Sequence, residues 1–508
     1  MADSHYMLPA TARLEAFDID RLIEQRSYFV LHAPRQTGKT TAMLELGRQL
    51  TASNKYIGVM VSMEVGAGFP NNIGSAEKAI LGSWRRAIRF QLPKEYHPTL
   101  WQPEAPEGQL ISEFLGEWAL EAPLPLVVLI DEIDALQDHV LISVLRQLRD
   151  GFYQRPKAFP SSIALIGLRD VRDYKVKSGG SPHLNSPSPF NVAVRSITLR
   201  NFNPDEVGEL LNQHHTETGQ VFTLPAQERI FHLTQGQPWL VNALAKVCTE
   251  ELLEDVTRPI EVSHIDEAKE ILIQRRQTHL DQLTDKLQEE RVRKVIEPIL
   301  SGGTLDNVPV DHREYVIDLG LAKRIDRSSM TVANPIYSEV IPRVLASGAQ
   351  DSLPRLQPTW LNSDGSLNPD KLLEVFLTFW RQHGQPLLKS APYHEIAPHL
   401  VMMAFLHRVV NGGGSIEREY AIGSRRIDLC LTYDNVKMAM ELKVWREGQK
   451  DPVTQGLSQL DRYLDGLGLA TGWLVIFDQR SGLPEISERT TTDLATTPTG
   501  KQVTVIRG

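Results

Sequence analysis

The chain of 508 residues has only two cysteines, Cys248 and Cys430, far apart. That excludes a disulfide framework and a cysteine-rich zinc module, and it fits a reducing cytoplasm. Long apolar runs are missing too. A strongly apolar run such as Leu124 to Ile130 falls well short of the roughly 20 residues that cross a bilayer, so no membrane partner is expected. The first residues, Met-Ala-Asp-Ser-His, lack the basic-then-apolar layout of a secretory signal. Positive charge is in deficit, with a net charge of −9, which argues against a generally basic nucleic-acid coat. The deficit is uneven: from Arg355 onward there are 17 basic and 17 acidic residues, so the excess acid lies upstream. A neutral C-terminal third can still meet DNA through a local patch. No 20–50-residue repeat and no heptad run is present. What remains is 41% hydrophobic and 23% charged, ordinary for a soluble protein, at a length that suggests about three domains.

The first 200 residues alternate short apolar runs with helical periods, as in an α/β sheet with crossover helices. Strands are predicted at 28–32, 56–62, 126–130 and 163–167, and a helix at about 40–50. Residues 177–190, rich in Ser, Pro and Gly, read as a surface loop. The helical segment 201–282 reads as a lid. Residues 283–346 begin helical, break at Ser301-Gly302-Gly303 and end in a predicted hairpin, an order that suggests a winged helix. Residues 347–369 read as a linker. The last segment, 370–508, opens on a helix and continues through strands near 416–421, 426–433, 437–444 and 472–477. The fold expected is therefore α/β multidomain: a parallel sheet with a helical lid, a winged helix and a second α/β domain.

Ala33-Pro34-Arg35-Gln36-Thr37-Gly38-Lys39-Thr40, followed by Thr41, lies between a predicted strand and a predicted helix. It matches the P-loop pattern except that alanine replaces the first glycine. Such a loop turns backbone N–H groups toward the phosphates of a nucleotide, beside a helix N-terminus that favours anions. Lys39 would bridge the phosphates and Thr40 would ligate Mg²⁺. The strand ending in Asp131-Glu132 supplies the partners: Asp131 for the water shell of the Mg²⁺ and Glu132 to polarise the attacking water. Asp134 is expected at a helix start. Arg169, after the fourth strand, is either a nucleotide-state sensor or a surface arginine. Gly236-Gln237-Pro238 is either a turn that touches adenine or a simple helix-starting proline. No arginine finger is identifiable; Arg146, Arg149, Arg155, Arg195 and Arg200 are the candidates, and a homo-oligomer could supply one in trans.

A second constellation lies near the C-terminus. Arg425-Arg426-Ile427-Asp428 opens one predicted strand, and Glu441-Leu442-Lys443 closes the next. Side chains two apart share a strand face, so Glu441 and Lys443 point the same way. Pairing through the turn at 433–435 brings Asp428 beside them. Two carboxylates and the Leu442 carbonyl then make a hard oxygen site for Mg²⁺ or Mn²⁺. Lys443 would orient a water or neutralise a phosphate, the chemistry of metal-assisted phosphodiester hydrolysis. Glu395 on the preceding helix is a further candidate ligand. Arg425, Arg426, Gln459 and Tyr463 are candidates for DNA phosphate contact. The alternative is an exposed hairpin with ordinary cross-strand ion pairs.

Together these residues resemble a family of prokaryotic AAA-like ATPases fused to a PD-(D/E)XK nuclease domain. The resemblance runs from Tyr28–Thr41 through Thr234–Asn242 and Asn334–Ile341 to Met440–Lys443 and Gly472–Asp478. It implies ATP binding, a winged helix behind the ATPase lid and a Mg²⁺-dependent nuclease acting on DNA, with defence against foreign DNA as a setting. The competing reading is a nucleotide-dependent signalling switch whose C-terminal domain only binds nucleic acid or a protein partner. A translocating helicase is the weakest reading, because no second motor core is visible.

Overall fold

The computed structural model describes residues 6–168, 192–275, 285–301, 305–326, 329–352, 358–390, 396–410, 414–422 and 425–508. The chain forms two compact units. The first comprises residues 1–272 and 309–323, and the second residues 273–308 and 324–508.

The first unit is built on five strands: β1 (Tyr28–His32), β2 (Ile57–Ser62), β3 (Leu126–Asp131), β4 (Ser162–Gly167) and β5 (Ala193–Thr198). They lie in the order β2-β3-β4-β1-β5 and are all parallel. All their C-terminal ends therefore share one edge, where open α/β sheets bind ligands. Helices cover both faces, which is why the inner strands read as unbroken apolar runs. In β1, Tyr28 and Val30 enter a core shared with the helices Ile73–Gln91, Leu110–Glu121 and Asp138–Asp150. Phe29 and Leu31 enter the opposite core, shared with the helices Ile19–Glu24 and Lys39–Ala52.

The apolar face of Ile73–Gln91 carries one buried acid, Glu77, that no sequence pattern singles out. Its carboxylate accepts from Gly108 N (2.7 Å) and Gln147 Nε2 (2.7 Å). The Gln147 Oε1 in turn accepts from Ile111 N and Ser112 N, at the start of Leu110–Glu121. Every bond of this network meets an otherwise orphaned group at a helix end or in the core. Gln147→Leu would leave two N–H groups and a buried carboxylate oxygen unmet, at ~1–3 kcal/mol per buried group. Chemical denaturation should show a loss of at least about 2 kcal/mol; an unchanged midpoint would mean that water replaces the amide.

The segment read as a lid contains the helices Pro204–Thr218, Leu224–Thr234, Pro238–Val247 and Val262–Gln274. The first of these starts with a capping box in which Asn203 and Glu206 each satisfy the other's backbone N–H. In the next region the elements are a helix Glu290–Ser301, a helix Val310–Asp318, and the short strands β6 (Ala322–Arg324) and β7 (Met330–Val332). Helices thus precede two short strands that form a two-stranded sheet. The residues nevertheless divide between the two units, with 309–323 in the first.

The second unit holds a six-stranded mixed sheet. Its strands are β8 (Gly414–Ile422), β9 (Arg425–Tyr433), β10 (Val436–Trp445), β11 (Thr471–Asp478), β12 (Thr491–Thr496) and β13 (Gln502–Arg507), in the order β12-β13-β11-β10-β9-β8. The central β10, β11 and β13 are parallel, flanked by antiparallel pairs. The helix Ala397–Val410 is buried nearly all round, between the helices Pro335–Ser352 and Pro369–Ser390 and β8. The helix Pro335–Ser352 extends into the expected linker, and an isolated Leu361–Leu367 bridge follows. Strands β5, β12 and β13 are additions to the sequence reading. The loop expected at 177–190 lies outside the described residues.

Candidate functional site

The end of β1 and the helix Lys39–Ala52 hold the loop between them. Ala33 is fully buried, and its N–H donates to Gly167 O at the end of β4 (3.3 Å). Gln36 and Gly38 take left-handed backbone angles (φ 59° and 85°), which let the loop turn back on itself. Thr37 is buried and its hydroxyl donates to Pro34 O (2.9 Å), closing the turn. The Lys39 ammonium donates to the carbonyls of Ala33 (2.7 Å) and Pro34 (2.9 Å), so it is held over the mouth of the loop. Burial pulls the Lys39 pKa down, while Asp131, Asp134 and Glu132 oppose that shift.

β3 lies two strands from β1 and delivers its carboxylates to the same edge. The Thr40 hydroxyl donates to Asp131 Oδ2 (2.8 Å), joining the loop to the acidic strand end. Asp131 is buried, and its Oδ1 accepts from Glu132 N (2.9 Å). Glu132 takes a left-handed conformation (φ 55°), which is uncommon for a residue with a side chain. Burial raises the pKa of both acids, and Asp134 pushes each further up. Three acids beside one lysine leave a surplus of negative charge in a partly dry place. The Thr40 hydroxyl and the Asp131 carboxylate, already joined to one another, are hard-oxygen donors of the kind Mg²⁺ takes.

Asp134 lies in the first turn of a short 3-10 helix, Ile133–Ala135, rather than at the start of the α-helix that follows, which begins at Asp138. Its Oδ1 accepts from Leu168 N (3.2 Å), so it pins the end of β4. Arg169, the next residue on, lies outside the described set. Pro238 occupies the first turn of its helix, where Gln237 caps Leu240 N (2.6 Å). Gly236 is left-handed (φ 70°), and a Cβ there would meet Phe202 O at 1.9 Å. The turn is thus fastened to the entry of the lid, where Phe202 N donates to Gly236 O (2.9 Å). Pro34 and Gln36, with Arg35, form the exposed or half-exposed rim of the loop, and Thr41 is half-buried on its helix.

Of the finger candidates, three are engaged within the chain. Arg155 lies over the Phe152 ring (3.4 Å), Arg195 donates to Phe17 O (2.9 Å), and Arg200 grips Glu206 with both nitrogens (2.6 and 2.8 Å). Arg146 and Arg149 are exposed on the helix Asp138–Asp150.

In the second unit, β9 and β10 pair antiparallel as far as Leu429 with Met440, which brings Asp428 opposite Glu441. Asp428 Oδ2 accepts from Leu442 N (2.8 Å) in place of a strand partner. A residue's N–H and C=O share one edge of a strand, so the Leu442 carbonyl lies on the Asp428 side as well. Lys443 Nζ pairs with Glu441 Oε1 (2.7 Å). Glu441 Oε2 is buried and has no hydrogen-bond partner among the described residues. Burial first, and then the like charge of Asp428, push the Glu441 carboxyl up to about 7. An orphaned buried carboxylate oxygen beside a second carboxylate fits a bound cation.

The other residues expected around this site fare differently. Glu395 lies outside the described residues, as do the side chains of Arg425 and Arg426, whose backbone opens β9. No group of three acids, histidines or cysteines suited to a metal occurs among the described residues. Gln459 is half-buried with its Oε1 unmatched, on the helix Val453–Leu467 that packs on β10. Tyr463, one turn on, is buried in a core with Cys430, Leu460 and Leu474.

In the first unit, a parallel five-stranded sheet, a phosphate loop after β1 and an acidic end on β3 define a P-loop NTPase core. No family profile matches the chain, and no curated protein matches it. Among solved structures it is similar to the Walker-type ATPase PABY2304 of Pyrococcus abyssi, with a TM-score of 0.45 and 14% identity over 67% of this chain and 96% of that one. The Thermotoga maritima RuvB Holliday junction branch migration motor is similar at a TM-score of 0.34 and 14% identity, over 66% and 95%. The Aeropyrum pernix ORC1 protein, solved in complex with DNA, is similar at 0.35 and 14%, over 66% and 93%. Likeness at this level carries no activity over to this chain. No helix among the described residues is long and apolar enough to cross a membrane.

Proposed function

We propose that the first unit binds and hydrolyses ATP with Mg²⁺, and that its nucleotide state controls a metal-dependent DNA nuclease in the second. The observation that carries the first half is the Thr40–Asp131 bond, which joins the loop to the acidic strand end. Lys39 releases its loop carbonyls to bridge the β- and γ-phosphates. Mg²⁺ held by Thr40 and, through water, by Asp131 would neutralise charge on those phosphates. Glu132 accepts the proton of the attacking water as its oxygen bonds to the γ-phosphorus, and the bond to the β-phosphate oxygen breaks, releasing ADP. Burial, with Asp134 and Asp131 nearby, raises the Glu132 pKa, the direction that makes its carboxylate a stronger base.

The nuclease half is supported by Asp428, Glu441 and Lys443 meeting on one sheet, with Glu441 Oε2 unmatched. A divalent ion there would polarise the scissile phosphate and activate a water. Lys443 balances charge on the phosphate, and Arg425, Arg426 and Gln459 would meet the DNA backbone. Glu395 as an added ligand, Arg169 as sensor, Pro238 against adenine, a finger from a second copy, Mn²⁺ at the second site and a defence role complete the proposal. The competing reading, a switch whose second unit only binds, differs in one outcome: no strand is cut.

The test joins both halves. Purified protein is given linear, nicked, circular and single-stranded DNA with Mg²⁺ or Mn²⁺, with and without ATP, beside Lys39→Ala. Wild type should bind ATP and cut DNA at a nucleotide-dependent rate. Lys39→Ala should lose several charge-assisted bonds at ~1.5–3 kcal/mol each, weakening ATP at least about tenfold. Equal cleavage with and without ATP in both proteins would end the coupling idea.

A further inference from the structure

The N-terminal segment places a buried arginine against the phosphate loop. Arg13 lies in the short 3-10 helix Ala12–Phe17 and is 7% exposed. A Cβ built on Gly38 would stand 2.8 Å from Arg13 Nη2, so the guanidinium lies directly against the backbone of the loop. The guanidinium also reaches the entry to the segment read as a lid: Nη1 donates to Arg200 O (2.9 Å), and the guanidinium carbon lies 4.9 Å from the centre of the Phe202 ring. Phe202 is the residue fastened to Gly236 of the Gly-Gln-Pro turn.

What Arg13 lacks is an anion. No carboxylate lies within ion-pair distance of it among the described residues; the nearby Glu206 is taken by Arg200 and by Asn203 N. Burial lowers its pKa only to about 10, so it stays charged at neutral pH. Glu206 acts on it only from a distance, and a buried cation without a carboxylate at ion-pair distance is costly, while the loop beside it is shaped for anions. Glycine-rich loops of this kind cradle the α- and β-phosphates with their backbone N–H groups.

We propose that Arg13 binds the diphosphate moiety shared by ATP and ADP, and that the same guanidinium ties the bound nucleotide to the first residues of the lid. The proposal rests on the ATP-binding reading above. Because the contact is to the diphosphate, it serves both nucleotides, unlike a group that reads the γ-phosphate. Because one guanidinium holds Arg200 O, the Phe202 ring and the phosphates, the lid entry is held in place when nucleotide is present.

The test measures ATP and ADP affinity by calorimetry on the full chain, for wild type, Arg13→Gln and Arg13→Lys, with the thermal midpoint of each nucleotide-free protein. Losing a charge-assisted contact of ~1.5–3 kcal/mol should weaken both nucleotides about 10- to 100-fold in Arg13→Gln. Arg13→Lys, which keeps the stem and charge, should recover part of that loss. In turnover, the fall in kcat/KM should lie mainly in KM. If Arg13→Gln does not fold, Arg13→Lys alone decides: its ADP affinity should be weaker than wild type at an unchanged midpoint. Folded variants that bind ADP as wild type does would overturn the proposal while leaving the ATPase reading intact. A wild-type protein that binds neither nucleotide would overturn both.

Discussion

Glu132→Gln is expected to lower ATP turnover by about 10²–10⁴-fold, the range a positioned base contributes, while ATP binding persists. The amide keeps the size and polarity of the side chain but cannot take the proton of the attacking water. The hydrogen bonds that hold Lys39 and Thr40 do not run through the Glu132 carboxylate: Lys39 is held by Ala33 and Pro34, and Thr40 by Asp131. Removing a like charge beside Asp131 and Asp134 should even favour the bound polyphosphate. Phosphate release and ATP affinity, measured on one preparation, separate the two effects. Turnover within threefold of wild type would move the base to another residue, and loss of binding would make Glu132 part of the cradle.

The second large effect is expected at Glu441. Glu441→Gln removes a charged oxygen donor opposite Asp428 and leaves Lys443 without its carboxylate. Outer partners of metal sites are typically worth about 10–100-fold, so loss of a ligand should cost at least that in Mg²⁺-dependent cleavage, with ATP binding unchanged. A nuclease rate indifferent to this change would leave the second unit as a binding module. The metal-free protein offers a readout that needs no cleavage. The folded Glu441 keeps its proton to about pH 7, whereas the unfolded chain releases it near 4.5. Between those values the folded state binds more protons, so this group's contribution is complete at low pH and is lost as pH rises through 7. The thermal midpoint of Glu441→Gln should therefore fall less between pH 5 and 8 than that of wild type.

How much of this could be read from the residues follows from where the chemistry lies along the chain. The loop from Ala33 to Thr40 is continuous in sequence, and its function resides in that continuity. β3 was visible because both its faces are covered, leaving Leu126 to Ile130 apolar throughout and the acids at its end conspicuous. The pairing of Asp428 with Glu441 followed from two strands and a short turn. β5 carries Arg195, Ser196 and Thr198, and β12 is a mostly exposed run of threonines; edge strands exposed to water have no apolar pattern to find. Glu77, Gln147 and Arg13 escaped for another reason. Each is a polar residue whose partners lie 30 or more positions away or on other elements, and a single sequence holds no trace of such pairings.

The chain's route between its units has a practical side. It leaves the first unit after Leu272, comes back for Pro309–Lys323, and leaves again. The returning segment adjoins β1 and the loop that follows it: Asp318 stands 3.8 Å from His32, Gly320 lies against Pro34, and Lys323 donates to Gln235 (2.7 Å). A fragment ended anywhere between 272 and 309 would strip these supports from the loop. The shortest continuous piece that keeps them runs to 323 and drags along 36 residues, 273–308, that belong to the other body. Simple truncation therefore does not isolate the first unit intact, and the two proposed activities are better separated by point substitution.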